Sequence, residues 1–267
     1  MSDATGHYHW KRPHFIETPY IRYTFIALAV IYLVFAVSTL RVNPQRIVEG
    51  IPRAINMFRG AFPPDFQARG SLIVRGFIES IQMTLIATAA GVIISIPIGF
   101  MAARNISILP IYVVGRTIVV VARSLHPVVL AVLFVSAVGF GAFAGILTLV
   151  MYTLGFVGKL LAEAIEEIKF GQVEGVRSTG AGFFPTLAYG VLPQVMPRII
   201  GLSMYQLDIN LRASAIVGLV GAGGIGATLN TAFGRYDYAT AMAILLVMIG
   251  IILVAEGISG RLRRLTK

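Results

Sequence analysis

Charged side chains inside long apolar runs are the first candidates for chemistry, because an ion in hydrocarbon must be paired or put to use. Residues 111–138 contain Arg116, Arg123 and His126, followed by Pro127. Arg116 and Arg123 are seven positions apart, which on one helix places them on a common face about 10 Å from each other. Position 126 falls near the same face. A basic stripe of this kind would line an anion pathway. In the competing reading, Arg116 snorkels to the headgroups and Arg123 bonds carbonyls freed near Pro127. Residues 199–220 contain Asp208 and Arg212, four apart and able to form a structural ion pair on one helix face. Pairing offsets the roughly 2.5–3.5 kcal/mol that a lone mid-membrane charge costs on insertion scales. A role in a gate is the alternative.

Other groups suggest chemistry that their surroundings do not support. Gly221, Gly223 and Gly226 match a dinucleotide-binding fingerprint, but that motif needs a strand before it and a helix after it. An apolar run precedes it here. The expected role of Gly221, Gly223, Gly224 and Gly226 is close helix approach and backbone freedom at a pore mouth. Three of the 4 histidines, His7, His9 and His14, lie in a polar N-terminal tail, and no metal site is expected. The chain has no cysteine, which removes disulfides, thiolate metal sites and cysteine nucleophiles. No nucleophile stands with a base, so catalytic residues are not expected.

The elements that must hold these residues can be read from composition. Of the 267 residues, 57% are hydrophobic and 13% charged, against about 25% charged in a soluble domain. Mean hydropathy is +0.82. About 20 apolar residues span a bilayer as a helix. Six candidates emerge: 24–40, 77–103, 111–138, 143–164, 199–220 and 238–258. The first run lacks a small-residue cleavage site after it and reads as a retained span behind a tail of residues 1–23. The net charge of +10 could suggest nucleic acid, but the basic residues cluster between apolar runs, where they set membrane orientation. With the N-terminus inside, twelve Lys and Arg lie on inside segments and seven on outside ones, which favours both termini inside. The arginine-rich segment 41–76 shows Ile47, Ile51, Ile55 and Phe58 at helical spacing and reads as an external amphipathic helix, either an elbow at the headgroups or a docking surface.

The longest inside hydrophilic stretch, about 165–195, needs a reason for its length. Glu174 is expected to open a short helix, Gly180 to end it in the left-handed conformation, and Pro185 and Pro193 to break the segment after that turn. The result would be a helix, a tight turn and a second short helix, a rigid knob for a soluble partner. Here the sequence resembles the coupling loop of ATP-binding-cassette (ABC) importer permeases. Glu174, Gly180, Leu192 and Pro193 match that pattern at full spacing, while Gly175, Val176 and Gly190 depart from its alanines and isoleucine. The segments Arg123-Ser-Leu-His-Pro127 and Val217 to Gly226 are similar to segments of these permeases in general, and Val138 to Gly141 and Gly158 to Glu167 are similar specifically to their phosphonate and reduced-phosphorus branch.

The resemblance implies an all-α integral membrane fold of six spans with type I importer permease architecture, its core being residues 77–267. It implies a homodimer in a bacterial inner membrane, with a translocation path between the copies, which on the residue reading above Arg116, Arg123, His126 and the glycine turn would line. It implies a cytoplasmic ABC ATPase dimer docked on Glu174, Gly175, Arg177, Gly180, Leu192 and Pro193, with ATP and magnesium held there and no cofactor on this chain. An external binding protein would deliver a phosphorus oxyanion. The alternatives are a permease for another small solute such as methionine, or a secondary transporter, which would show repeat symmetry and broken helices near the midplane.

Overall fold

The computed structural model describes residues 18–39 and 44–265. The tail histidines and the residues 40–43 that link the first two helices lie outside the described residues. Two compact units, Met1–Asn56 and Met57–Lys267, divide the chain.

In the first unit, α1 (Pro19–Thr39) begins earlier than the expected residue 24. It is apolar on every side and exposed along its length, as suits a helix whose surroundings are hydrocarbon. Helix α2 (Pro44–Ala61) continues through Pro52 and crosses the boundary between units. Its apolar side carries Ile47, Ile51, Ile55 and Phe58, all exposed, and Glu49 pairs loosely with Arg53 at 3.9 Å on the other side.

In the second unit α3 (Gly70–Met101) and α6 (Ala142–Glu166) form the longest contact, joined by α9 (Leu192–Leu219). Small residues allow this closeness. A Cβ on Gly91 of α3 would lie 2.5 Å from Thr153 of α6, and one on Gly155 would meet the backbone of Arg123 at 2.8 Å. Pro97 is accommodated inside α3 without ending it. Around this centre lie α4 (Leu109–Ser124), α5 (Pro127–Val138), α10 (Gly224–Gly234) and α11 (Tyr238–Leu265). Core side chains gather near Ile225, Leu229 and Ile244 at one end and near Leu161, Ile165, Val173 and Val195 at the other.

The expected single span over 111–138 is corrected. It is two helices, α4 and α5, that meet at 95°. The cause is local: a residue before proline is pushed out of the helical region, and His126, preceding Pro127, has ψ 145°. Leu125 is extended as well, with ψ 129°.

The second correction concerns the loop. Helix α7 (Phe170–Arg177) starts well before Glu174, which therefore sits in its second turn and not at the positive end of its dipole. Nor do the two prolines break the chain after Gly180. Helix α8 (Phe183–Thr186) passes into a π-helical turn (Leu187–Val191), which leads directly into α9. Pro185 and Pro193 occupy early helix positions, where a missing N–H is tolerated.

Candidate functional site

Helix α7 is held from beneath. Val173 is buried against the π-helical turn, and a Cβ on Gly190 would stand 3.2 Å from the Val173 Cα. The family's isoleucine at position 190 would not fit this approach without a shift. Lys169 N–H donates to Gln194 Oε1 at 2.9 Å, and Gln194 Nε2 donates to Gly190 O at 2.7 Å, which ties the start of α7 to α9. Above this base Glu174, Gly175, Arg177 and Gly180 line the outer side of the helix and turn, all four exposed. Gly180 has φ +80°, as the turn chemistry predicts, and its N–H donates to Arg177 O at 2.9 Å. Leu192 is half-buried at the start of α9. Phe183, Phe184 and Tyr189 add an exposed aromatic rim. The arrangement is a rigid helix–turn platform.

The basic residues of α4 do not form the expected stripe with His126. Arg116 is half-buried at the α3–α4 turn, where its Nη1 lies 3.4 Å from Ala102 O and 4.0 Å from Glu166 Oε1. Glu166 also accepts from the Arg104 N–H at 2.9 Å, so this carboxylate and Arg116 fasten the end of α6 to the turn. Arg123 is exposed near the end of α4 and, among the described residues, its side chain has no hydrogen-bond or ion-pair partner. His126 lies in the bend itself and caps α5, its Nδ1 accepting from Val128 N–H at 3.4 Å.

Asp208 and Arg212 form the ion pair expected from their spacing. Asp208 is buried, whereas the Arg212 side chain is 47% exposed. The glycine turn joins α9 to α10. Gly221, Gly223 and Gly224 have φ of +94°, +78° and +71°. Gly226 lets α10 cross α9 so closely that a Cβ would sit 1.9 Å from Ala215 O. Gly141 N–H donates to Gly221 O at 3.0 Å and locks this turn to the one before α6.

A buried polar seam is the feature that sequence reasoning missed. Asn210 Nδ2 donates to Thr88 Oγ1 and to Thr153 Oγ1, both at 2.8 Å, and Gln206 Nε2 donates to Asn210 Oδ1 at 2.9 Å. These bonds join α3, α6 and α9. Nearby on α3, Ser80 Oγ accepts the Ile225 N–H at 2.9 Å and satisfies the start of α10. The available signal was Ser80, Thr84 and Thr88 at spacings of four in an apolar run, with Gln206 and Asn210 likewise four apart.

Among the described residues, five helices are long and apolar enough to cross a bilayer, or six when α4 and α5 count as one broken span. This is a multi-pass membrane permease. The chain belongs to the family of binding-protein-dependent transport system inner membrane components, whose pattern matches residues 95–267. The phosphate-import permease PhnE of Mycolicibacterium smegmatis is 38% identical over 231 residues, 86% of this chain and 43% of that protein, so the chain spans less than half of its length. The phosphite transport system permease PtxC of Stutzerimonas stutzeri is 37% identical over 219 residues, 82% of this chain and 79% of that protein. The inward-facing MetNI methionine ABC transporter shares the fold, with a TM-score of 0.65 at 23% identity, covering 75% of this chain and 99% of its counterpart.

Proposed function

We propose that the chain is the permease subunit of an ABC importer that admits a phosphorus oxyanion, whether phosphonate, phosphite, hypophosphite or phosphate, from an external binding protein. The observation that carries this reading is the α7 platform: an exposed helix and left-handed Gly180 on a base that Val173 and Gln194 bind rigidly to α9. A push on α7 must move α9, which holds the polar seam and the Asp208–Arg212 pair. Two relatives whose names specify phosphate and phosphite, each aligned over most of this chain, support the substrate class. The methionine alternative draws on more distant likeness, the solved methionine transporter being 23% identical.

In this mechanism two copies pair and the path runs between them. The ATPase dimer binds ATP and magnesium; no cofactor sits on this chain. The platform and both termini face the cytoplasm. Closure of the ATPases on ATP draws the platforms together and opens the path outward, and hydrolysis resets it. Arg123, unpaired and exposed, is the residue of α4 free to meet an anion, whereas Arg116 is engaged with Glu166.

Co-expression with the cognate ATPase tests the reading through Gly180→Val. A Cβ there meets no atom within 4 Å, so the strain is purely that of the backbone at φ +80°. It amounts to about 1–3 kcal/mol for a non-glycine residue, enough to refold the turn. The variant should insert in the membrane yet lose both uptake and substrate-stimulated ATPase activity. Normal transport by an assembled Gly180→Val complex refutes the coupling role.

A further inference from the structure

At the end of the bundle opposite α7, a cleft of about 350 Å³ opens between α3, α10 and the start of α11. Its lining includes Arg69, Arg75, Glu79, Gly224, Thr228 and Thr240. Three observations point to a ligand. The Arg75 side chain has no hydrogen-bond or ion-pair partner among the described residues, whereas Arg69 at the rim is engaged with Asp237 at 3.4 Å. Thr240 is 1% exposed, and its Oγ1 is buried without any partner, a state that buried hydroxyls rarely keep. Helix α10 begins at Gly224, so the positive end of its dipole opens on the same space. Thr228 adds a further hydroxyl.

We propose that this cleft is an oxyanion site on the permease itself, with Arg75 and the hydroxyls of Thr240 and Thr228 as donors. The inference rests on the phosphorus-oxyanion reading above and names where the permease receives that anion. Glu79 shapes the selectivity. A carboxylate beside the anion repels a fully ionised ligand but accepts a hydrogen bond from one that still carries an acidic O–H. A phosphate group still carries that proton in part of its population near neutrality, its second ionisation lying at about pH 6 in phosphomonoesters. Sulfate has none to offer. The cleft therefore favours protonated phosphorus oxyanions over sulfate.

The test uses the assembled permease–ATPase complex in nanodiscs, without binding protein, and radiolabelled inorganic phosphate as probe. Saturable binding should be displaced by phosphite and methylphosphonate and resist sulfate. Arg75→Gln should weaken it about tenfold or more, as expected for loss of a charge-assisted bond, and Thr240→Val by several-fold, while Arg75→Lys and Thr240→Ser recover part of it. Retention of the ATPase on size-exclusion chromatography shows that each variant is folded. Absence of binding, or equal binding by wild type, Arg75→Gln and Thr240→Val, overturns the site. Equal competition by sulfate overturns the role of Glu79. Uptake by wild-type cells separates the two proposals. If cells import phosphite or phosphate but the cleft variants bind unchanged, only the site is wrong. If wild-type cells import no phosphorus anion, the substrate assignment is wrong, whatever the cleft binds.

Discussion

Asn210 offers the sharpest test of how the spans are held together. Its side chain is fully buried and makes three hydrogen bonds, two donated to Thr88 and Thr153 and one accepted from Gln206. Interhelical bonds of this kind within membranes average about 0.6 kcal/mol with a ceiling near 1.7, because an unfolded span also finds partners. Three of them amount to about 2 kcal/mol, so Asn210→Ala should destabilise by about that amount plus the loss from the void left behind. The bond to Thr88 can be isolated. Thr88→Val keeps the shape and removes the hydroxyl, and in a double-mutant cycle with Asn210→Ala the coupling should be about 0.6 kcal/mol. Unfolding by dodecyl sulfate in mixed micelles, followed by circular dichroism, measures all four proteins. Strictly additive costs would show that Thr88 and Asn210 do not bond, and the seam would then not bind α3 to α9.

Three further outcomes are expected. Single cysteines at Ser2, Thr179 and Thr266 should react with impermeant thiol reagents only from the cytoplasmic side and one at Gln67 only from outside; labelling of position 179 in intact cells reverses the orientation. Arg123→Gln should abolish uptake while assembly and binding-protein docking persist, and unchanged uptake removes Arg123 from the path. Backbone N–H groups of Ala68 and Gln67, at 2.9 and 2.8 Å, hold the Asp65 carboxyl below its ordinary value of 3.8. A carboxylate depressed in the folded state stabilises above its unfolded value and loses that contribution as pH falls through the folded one. The stability gap between wild type and Asp65→Ala should therefore narrow on acidification below about pH 4, and a gap independent of pH refutes the cap.

The existence of the spans is legible because apolar runs of sufficient length have few other uses; α3, α6, α9 and α11 lie where hydropathy puts them. Proline is the harder residue to read. A hydropathy window places Pro127 inside a span although the residue before a proline disfavours the helix, and the bend at His126 dissolves the three-residue basic stripe. Pro52, Pro97, Pro185 and Pro193 do the reverse and stay within helices. Gly180 is legible since a left-handed residue closes that turn, and Asp208–Arg212 since spacing alone decides the pair. The Asn210 seam is not, for its partners come from spans 57 and 122 residues away in the chain, and no local pattern states which hydroxyl faces which amide.

The π-helical turn at Leu187–Val191 carries one residue more than an α turn would. Removing a single residue there would restore the ordinary ladder and rotate everything before it by about 100° around the axis of α9. Val173 would leave its seat, and the face bearing Glu174 and Arg177 would swing away from its present heading. The extra residue thus acts as a phase setting between platform and span. Relatives that keep the docking direction should hold the interval from Gly180 to Pro193 constant, whatever side chains they place along it.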